Sequence, residues 1–155
     1  MLLAPRFREK VERVCADMVS WGYDPRVFET LRTDARQSFL HGFGRLYDDG
    51  RGIVTHSRTA DETWHGFGLA VDIICARRLW SAPPDFWYVL GTSARRHGLV
   101  WGADWNSDWS SADERFLDRP HIQWGAPMRR SPSSRAVELR RSGGLSAVWA
   151  EVGAA

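Results

Sequence analysis

A chain of 155 residues suits a single domain spanning 1–155 and is long enough to bury about two-thirds of its unfolded surface. Its 43% hydrophobic and 26% charged residues exclude a disordered chain, and a formal charge of +2 is too small to imply a nucleic-acid partner. That slight positive balance suits an anionic polymer such as a cell wall.

The opening MLLAPRFREK has four apolar residues before charge resumes, so no secretory signal is expected in it. No window approaches the ~18 uninterrupted apolar residues of a membrane span. The expectation is a chain made in the cytoplasm that acts elsewhere only if released or exported. From Arg6 to Trp21, Phe7, Val11, Val14, Cys15, Met18 and Val19 recur at helical spacing, and Gly22 ends the run. VFETL, 27 to 31, reads as a short strand. Asp34 predicts an N-cap with Gln37 as its capping-box partner, opening a helix through about Leu40. YDDGRG, 47 to 52, is turn material.

Leu69 to Ile74 predicts a second strand, and DFWYVLGTSARRHG, after a proline-containing turn, a helix closed by Gly98. Residues 102–115, rich in Asp, Ser and Trp, read as a long loop before HIQW, 121 to 124, a further short strand. SPSSRAVELRRSGG predicts a helix ending at its glycine pair. Helices and strands mix without a βαβ rhythm, which predicts an α+β fold with a small antiparallel sheet flanked by helices. Cys15 and Cys75 form no CxxC pair and read as small core residues. Nine tryptophans, several between Trp80 and Trp124, read as a mixture of core and cleft wall.

The strand at 69–74 carries a carboxylate in an apolar run, which is costly unless something pairs with it. Alternation puts Gly68, Ala70 and Asp72 on one face and Leu69, Val71 and Ile73 on the other. Asp72 therefore sits on a face kept clear by small residues, as a metal ligand requires, seven residues after His65. The tetrapeptide HGFG also occurs at 41–44 with Asp48 seven residues after His41, but the polar RLYDDG beyond it predicts a solvated pair. In FLDRPHIQW, Pro120 biases Arg119 towards extended backbone, and alternation from His121 puts Gln123 on its face. Asp118 stands three residues before His121. Two imidazoles and one carboxylate with a fourth position open are the ligand set of a catalytic zinc, which lowers the pKa of its water to about 7. A nearby Asp118 would then move protons between that water and a leaving amine. His41, His56 and His97 match no such pattern and read as surface or helix-end residues.

TWHGFGLAVDI resembles the S-x-H-x-x-G-x-A-x-D motif of the zinc D-alanyl-D-alanine carboxypeptidase and L-alanyl-D-glutamate endopeptidase family, which includes VanY-like enzymes and phage endolysins. Thr63 stands where Ser is usual. LDRPHIQW resembles that family's second motif, and LRTDARQ, 31 to 37, its R-T-x-x-x-Q segment; WGADW and GGLSAVW are similar as well. The resemblance implies a hedgehog/D-Ala-D-Ala-peptidase-like fold whose sheet carries one Zn²⁺ on His65, Asp72 and His121. It implies Asp118 as general base, where many relatives have Glu, and Arg32 as anchor for a stem-peptide carboxylate. Gln37 and Thr63 would help to shape that pocket.

The expected activity is hydrolysis of an amide bond in a peptidoglycan stem peptide by a monomer, with an endolysin-like L-alanyl-D-glutamate endopeptidase first. The alternatives are a D-alanyl-D-alanine carboxypeptidase and a non-catalytic, zinc-containing wall-binding domain. The absence of HExxH, of a GxSxG elbow and of a P-loop excludes thermolysin-like proteases, α/β-hydrolases and P-loop enzymes.

Overall fold

The computed structural model describes residues 2–125 and 130–155. Helix α1, Pro5–Ser20, opens on a proline, which lacks the amide hydrogen that a first helical turn leaves unused. It buries Phe7, Val11, Val14 and Met18. Val19, counted in the apolar stripe from spacing, is one step round the helix from Met18 and is 60% exposed. Gly22 follows with φ +84, a conformation that favours glycine. Strand β1 is Pro25–Glu29, two residues earlier than expected.

Helix α2, Asp34–Gly42, is capped by Thr33, whose Oγ1 accepts from Arg36 N at 3.2 Å. Asp34 is thus the first helical residue rather than the cap, and its carboxylate accepts from Ala60 N instead. Gln37 is no capping-box partner; it is fully buried and bonds elsewhere. Two short 3₁₀ turns, Ala60–Glu62 and Trp64–Phe67, lead into β2, Ala70–Cys75.

Helix α3, Pro84–Arg96, runs to His97 and Gly98, and β3, Leu99–Trp101, follows immediately. Spacing does not announce that strand: three residues pressed against a helix cap give no alternation to read. Strand β4 is His121–Trp124. Helix α4, Ser134–Glu151, is two helical segments that meet at Gly144 (φ +71, ψ −169), so the first ends at the expected glycine pair and a second runs on from it.

The four strands form one antiparallel sheet in the order β1-β2-β4-β3. Val71 lies opposite Ile122 and Ile122 opposite Trp101, so these share a face. Phe7 of α1 meets Trp124 on that face edge-on at 6.4 Å, and Gly91 of α3 lies against the Trp101 ring. The core is therefore between this face and helices α1 and α3, and each buried Leu, Ile or Phe there contributes about 1.5–3 kcal/mol. Helix α4 braces the turn that enters β2. Trp149 Nε1 donates to Phe67 O at 2.7 Å, and Ala4 N donates to Gly68 O at 3.0 Å. Arg6 N in turn donates to Ala154 O at 3.1 Å. Among the described residues no helix is long and apolar enough to cross a membrane.

Candidate metal centre

The face of the sheet turned away from the core carries the chemistry. Asp72 in β2 pairs directly with His121 in β4, and Ala70 with Gln123. Register alone brings Asp72 and His121 together, since cross-strand partners project to the same side. The small Ala70 opposite Gln123 accounts for the cleared face seen in the sequence. His65 arrives from the 3₁₀ turn Trp64–Phe67, which is capped by Thr63 and ended by Gly68 in the left-handed region at φ +64. Gly66 in that turn has no room for a side chain, because a Cβ would overlap the Ala60 carbonyl.

His65 Nε2, Asp72 Oδ1 and His121 Nδ1 form a nearly equilateral triangle with sides of 3.3, 3.3 and 3.4 Å. Two ligands about 2.0–2.1 Å from a tetrahedral zinc are about 3.3–3.4 Å apart, so the donor set fits that ion in chemistry and in size. All three residues are buried, and among the described residues theirs is the group of three or more His, Cys, Asp or Glu placed to hold a metal. The remaining imidazole nitrogens are occupied. His65 Nδ1 donates to Thr30 O at 2.9 Å, and His121 Nε2 donates to Gln123 Oε1 at 3.1 Å. Each bond fixes a tautomer that leaves the other nitrogen's lone pair facing the triangle.

Arg32 sits beside these ligands and lines the same cleft. Its Nη2 lies 3.3 Å from Asp72 Oδ2 and 3.4 Å from Glu29 Oε2, and its Nη1 donates to Gln37 Oε1 at 3.0 Å. Glu29 pairs with Asp72 in the sheet, so the guanidinium bridges two adjacent carboxylates that would otherwise repel. Asp72 is thus divided between two tasks: Oδ2 meets Arg32 and Oδ1 faces the imidazoles. Arg32, expected to anchor a substrate carboxylate, lines the cleft and also meets two of the protein's own carboxylates. Gln37 acts one step further back, its Nε2 donating to Ser57 O at 2.5 Å and to Thr55 Oγ1 at 3.3 Å. It holds Arg32 and does not itself line the cleft. Thr63 does line the cleft, and its Oγ1 accepts from His65 N at 3.4 Å.

Burial opposes the Asp72 charge, yet the His65 and His121 imidazoles hold its carboxyl well below the usual range. Burial likewise works against protonated His121, but its bond to Asp72 and the charge of Asp118 raise it above the ordinary histidine value. Asp118 behaves differently: its burial in the cleft wall pushes its carboxyl up, with Asp72 adding and His121 opposing. A carboxyl shifted up by desolvation takes a proton more readily than an exposed one, which suits proton transfer. Its placement depends on Gly102, a position that spacing did not single out. Asp118 N donates to Gly102 O and Gly102 N to His121 O, both at 2.8 Å. A Cβ at Gly102 would be 3.0 Å from His121 Cβ and 3.1 Å from Asp118 Cβ. The WGADW motif contains this glycine, which was the available signal.

The triangle opens on a cleft of about 1070 Å³. It runs from Phe28 and Glu29 on the β1 edge, past His65 and Asp72, to Trp105, Phe116 and Asp118 in the loops beside β4. The tryptophans divide as expected: Trp87, Trp101 and Trp124 are buried away from the cleft, Trp80 and Trp105 line it, and the buried Trp64 does both. His41 is neither one of the grouped ligands nor a lining residue of the cleft, His97 closes α3 and bonds Asp17 at 3.0 Å, and the exposed His56 lines the cleft. Neither cysteine is bonded to the other; Cys75 is buried and Cys15 partly so.

No protein-family model matches the chain, and no curated protein does. Among solved structures, the vancomycin-resistance D,D-pentapeptidase VanY from a VanB-type cassette, in complex with Zn(II), superposes with a TM-score of 0.53. The two are 15% identical over 92% of this chain and 81% of that one. The fold is shared. Two further structures also align: the Serratia marcescens L-Ala D-Glu endopeptidase ChiX, with 20% identity, 79% and 88% of the two chains and a TM-score of 0.48, and the LD-carboxypeptidase LdcB, with 16%, 91% and 70%, and 0.47. The small antiparallel sheet with helices packed on one side is thus the VanY-like α+β architecture.

Proposed function

We propose that this chain is a zinc peptidase that hydrolyses an amide bond in peptidoglycan stem peptides. One observation carries the reading: three ligand atoms sit at tetrahedral-zinc spacing, with their open side on a cleft that also holds a carboxyl of raised pKa. A purely structural zinc closes with four protein ligands and has no use for such a carboxyl. The shared fold with a zinc D,D-pentapeptidase supports the substrate class.

His65, Asp72 and His121 would hold the ion, which when bound supplies a Lewis acid that polarises the scissile carbonyl and activates water. Asp118 takes the proton of the attacking water and returns it to the departing amine nitrogen. Arg32 fixes Asp72 Oδ2 so that Oδ1 points at the imidazoles, and Gln37 fixes Arg32. Thr63 holds the backbone of the turn that presents His65. The L-alanyl-D-glutamate bond is the favoured target. A carboxypeptidase needs a cleft closed just past the scissile bond, whereas among the described residues this one is lined on both sides of the ligands, by Phe28 and Trp80 on one and by Trp105 and Phe116 on the other.

The test is release of free amines from purified peptidoglycan by the zinc-loaded protein, its loss with a chelator and its return with zinc. Muropeptide masses then separate cleavage after the first stem residue from loss of a terminal alanine. Metal-loaded protein that releases nothing from several wall chemistries would favour the binding-domain alternative.

A further inference from the structure

If Arg32 is engaged internally, a substrate carboxylate needs another partner. Among the described residues, the arginines lining the cleft are Arg32, Arg36, Arg51 and Arg130. Arg32 meets Glu29 and Asp72, Arg36 meets Glu29 at 2.9 Å, and Arg51 meets Asp49 at 2.7 Å. Arg130 has no carboxylate partner among the described residues. Its guanidinium lies instead on two rings, 4.1 Å from the Phe116 centroid and 5.3 Å from that of Trp105.

Those rings form a fixed shelf. They stack with an interplanar angle of 27°, and Trp105 Nε1 donates to Phe116 O at 2.9 Å. The Trp105 ring is 5.4 Å from the His121 ring, so the shelf begins beside a proposed zinc ligand. A guanidinium laid on aromatic faces keeps its edge N–H groups free, and that edge matches a carboxylate bidentately. A guanidinium without a carboxylate partner is freer to take an incoming anion than Arg36 or Arg51, each of which already meets one.

We propose that Arg130, resting on the Trp105–Phe116 shelf, binds a free carboxylate of the substrate on the His121 side of the scissile bond. It is thereby a specificity residue that selects carboxylate over carboxamide stem peptides. The proposal rests on the stem-peptide reading of the cleft.

Two synthetic stem peptides that differ only in bearing free carboxylates or carboxamides test it. Binding is measured by calorimetry with the zinc-loaded protein in an Asp118→Asn background, so no turnover is needed. A charge-assisted pair predicts that the acid peptide binds about 10- to 100-fold more tightly than the amide. Arg130→Gln should bind both peptides alike, at the affinity of the amide, and Arg130→Lys should recover part of the preference. A merely structural arginine would weaken both peptides equally. An acid-to-amide ratio in Arg130→Gln equal to that of the parent, or no preference in the parent, overturns the proposal. Hydrolysis of either peptide by the Asp118-containing protein is scored separately: cleavage without preference sinks the Arg130 assignment alone, and preference without cleavage sinks the peptidase reading alone.

Discussion

The tetrapeptide HGFG builds two different things in one chain. At 41–44 it ends helix α2, with His41 in the last turn and Gly44 at φ +70. At 65–68 it makes a 3₁₀ turn ending on Gly68 at φ +64. Both copies therefore end a helical turn with a left-handed glycine, and both have an aspartate seven residues after the histidine. Their downstream segments separate them. After Gly44 the chain folds back on itself through Gly44 N to Tyr47 O, and Asp48 caps the amide of Gly50 in solvent. After Gly68 it enters β2, whose pairing with β4 puts Asp72 opposite His121. A histidine and an aspartate at fixed spacing are not yet a site; sheet pairing supplies the third ligand.

That contrast breaks most sharply at the histidines. His65→Ala should abolish stoichiometric zinc binding and His41→Ala should leave it intact, as read by metal content after dialysis. Loss of metal from His41→Ala would mean that the first copy holds the ion. Next in size is the carboxyl present beside the second copy's site alone. Asp118→Asn should keep zinc while lowering kcat about 10²- to 10⁴-fold, and should remove the acid limb of the rate profile, because a base is active only when ionised. Full turnover in that variant would remove Asp118 as the base. The smallest effect comes from the middle glycines. A Cβ at Gly66 meets the fixed Ala60 carbonyl, whereas at Gly42 it meets the far end of the Tyr47 side chain, which is 40% exposed and shifts against Phe39 and Phe43 more cheaply than backbone does. Urea unfolding should show a loss of about 3 kcal/mol for Gly66→Ala and a change below about 1 kcal/mol for Gly42→Ala. Equal losses would show that the two turns are built alike.

Much of this was legible because the decisive residues sit in regular elements. Alternation in LAVDII and HIQW placed Asp72 and Gln123 on the faces that the sheet gives them, and α1 followed from its spacing. The features that spacing misses depend on partners far along the chain. Nothing near Glu29 or Arg32 announces that the sheet sets Glu29 beside Asp72 and so draws Arg32 inward. β3 is three residues long and owes its existence to β4 and α3. The glycine pair in α4 does end a helical segment; the second segment beyond it is held by buried Val148 and by the Trp149 bond to Phe67 O, partners that spacing does not announce.

The brace on the Trp64–Phe67 turn has a temporal consequence. Phe67 and Gly68 are hydrogen-bonded by Trp149 and Ala4, residues far apart in the sequence. While the chain is being synthesised, His65 and His121 both leave the ribosome before the indole that steadies the first of them. On the zinc-peptidase reading, the turn that presents His65 is steadied only after the last helix has docked, so a firm hold on the ion would come late in synthesis.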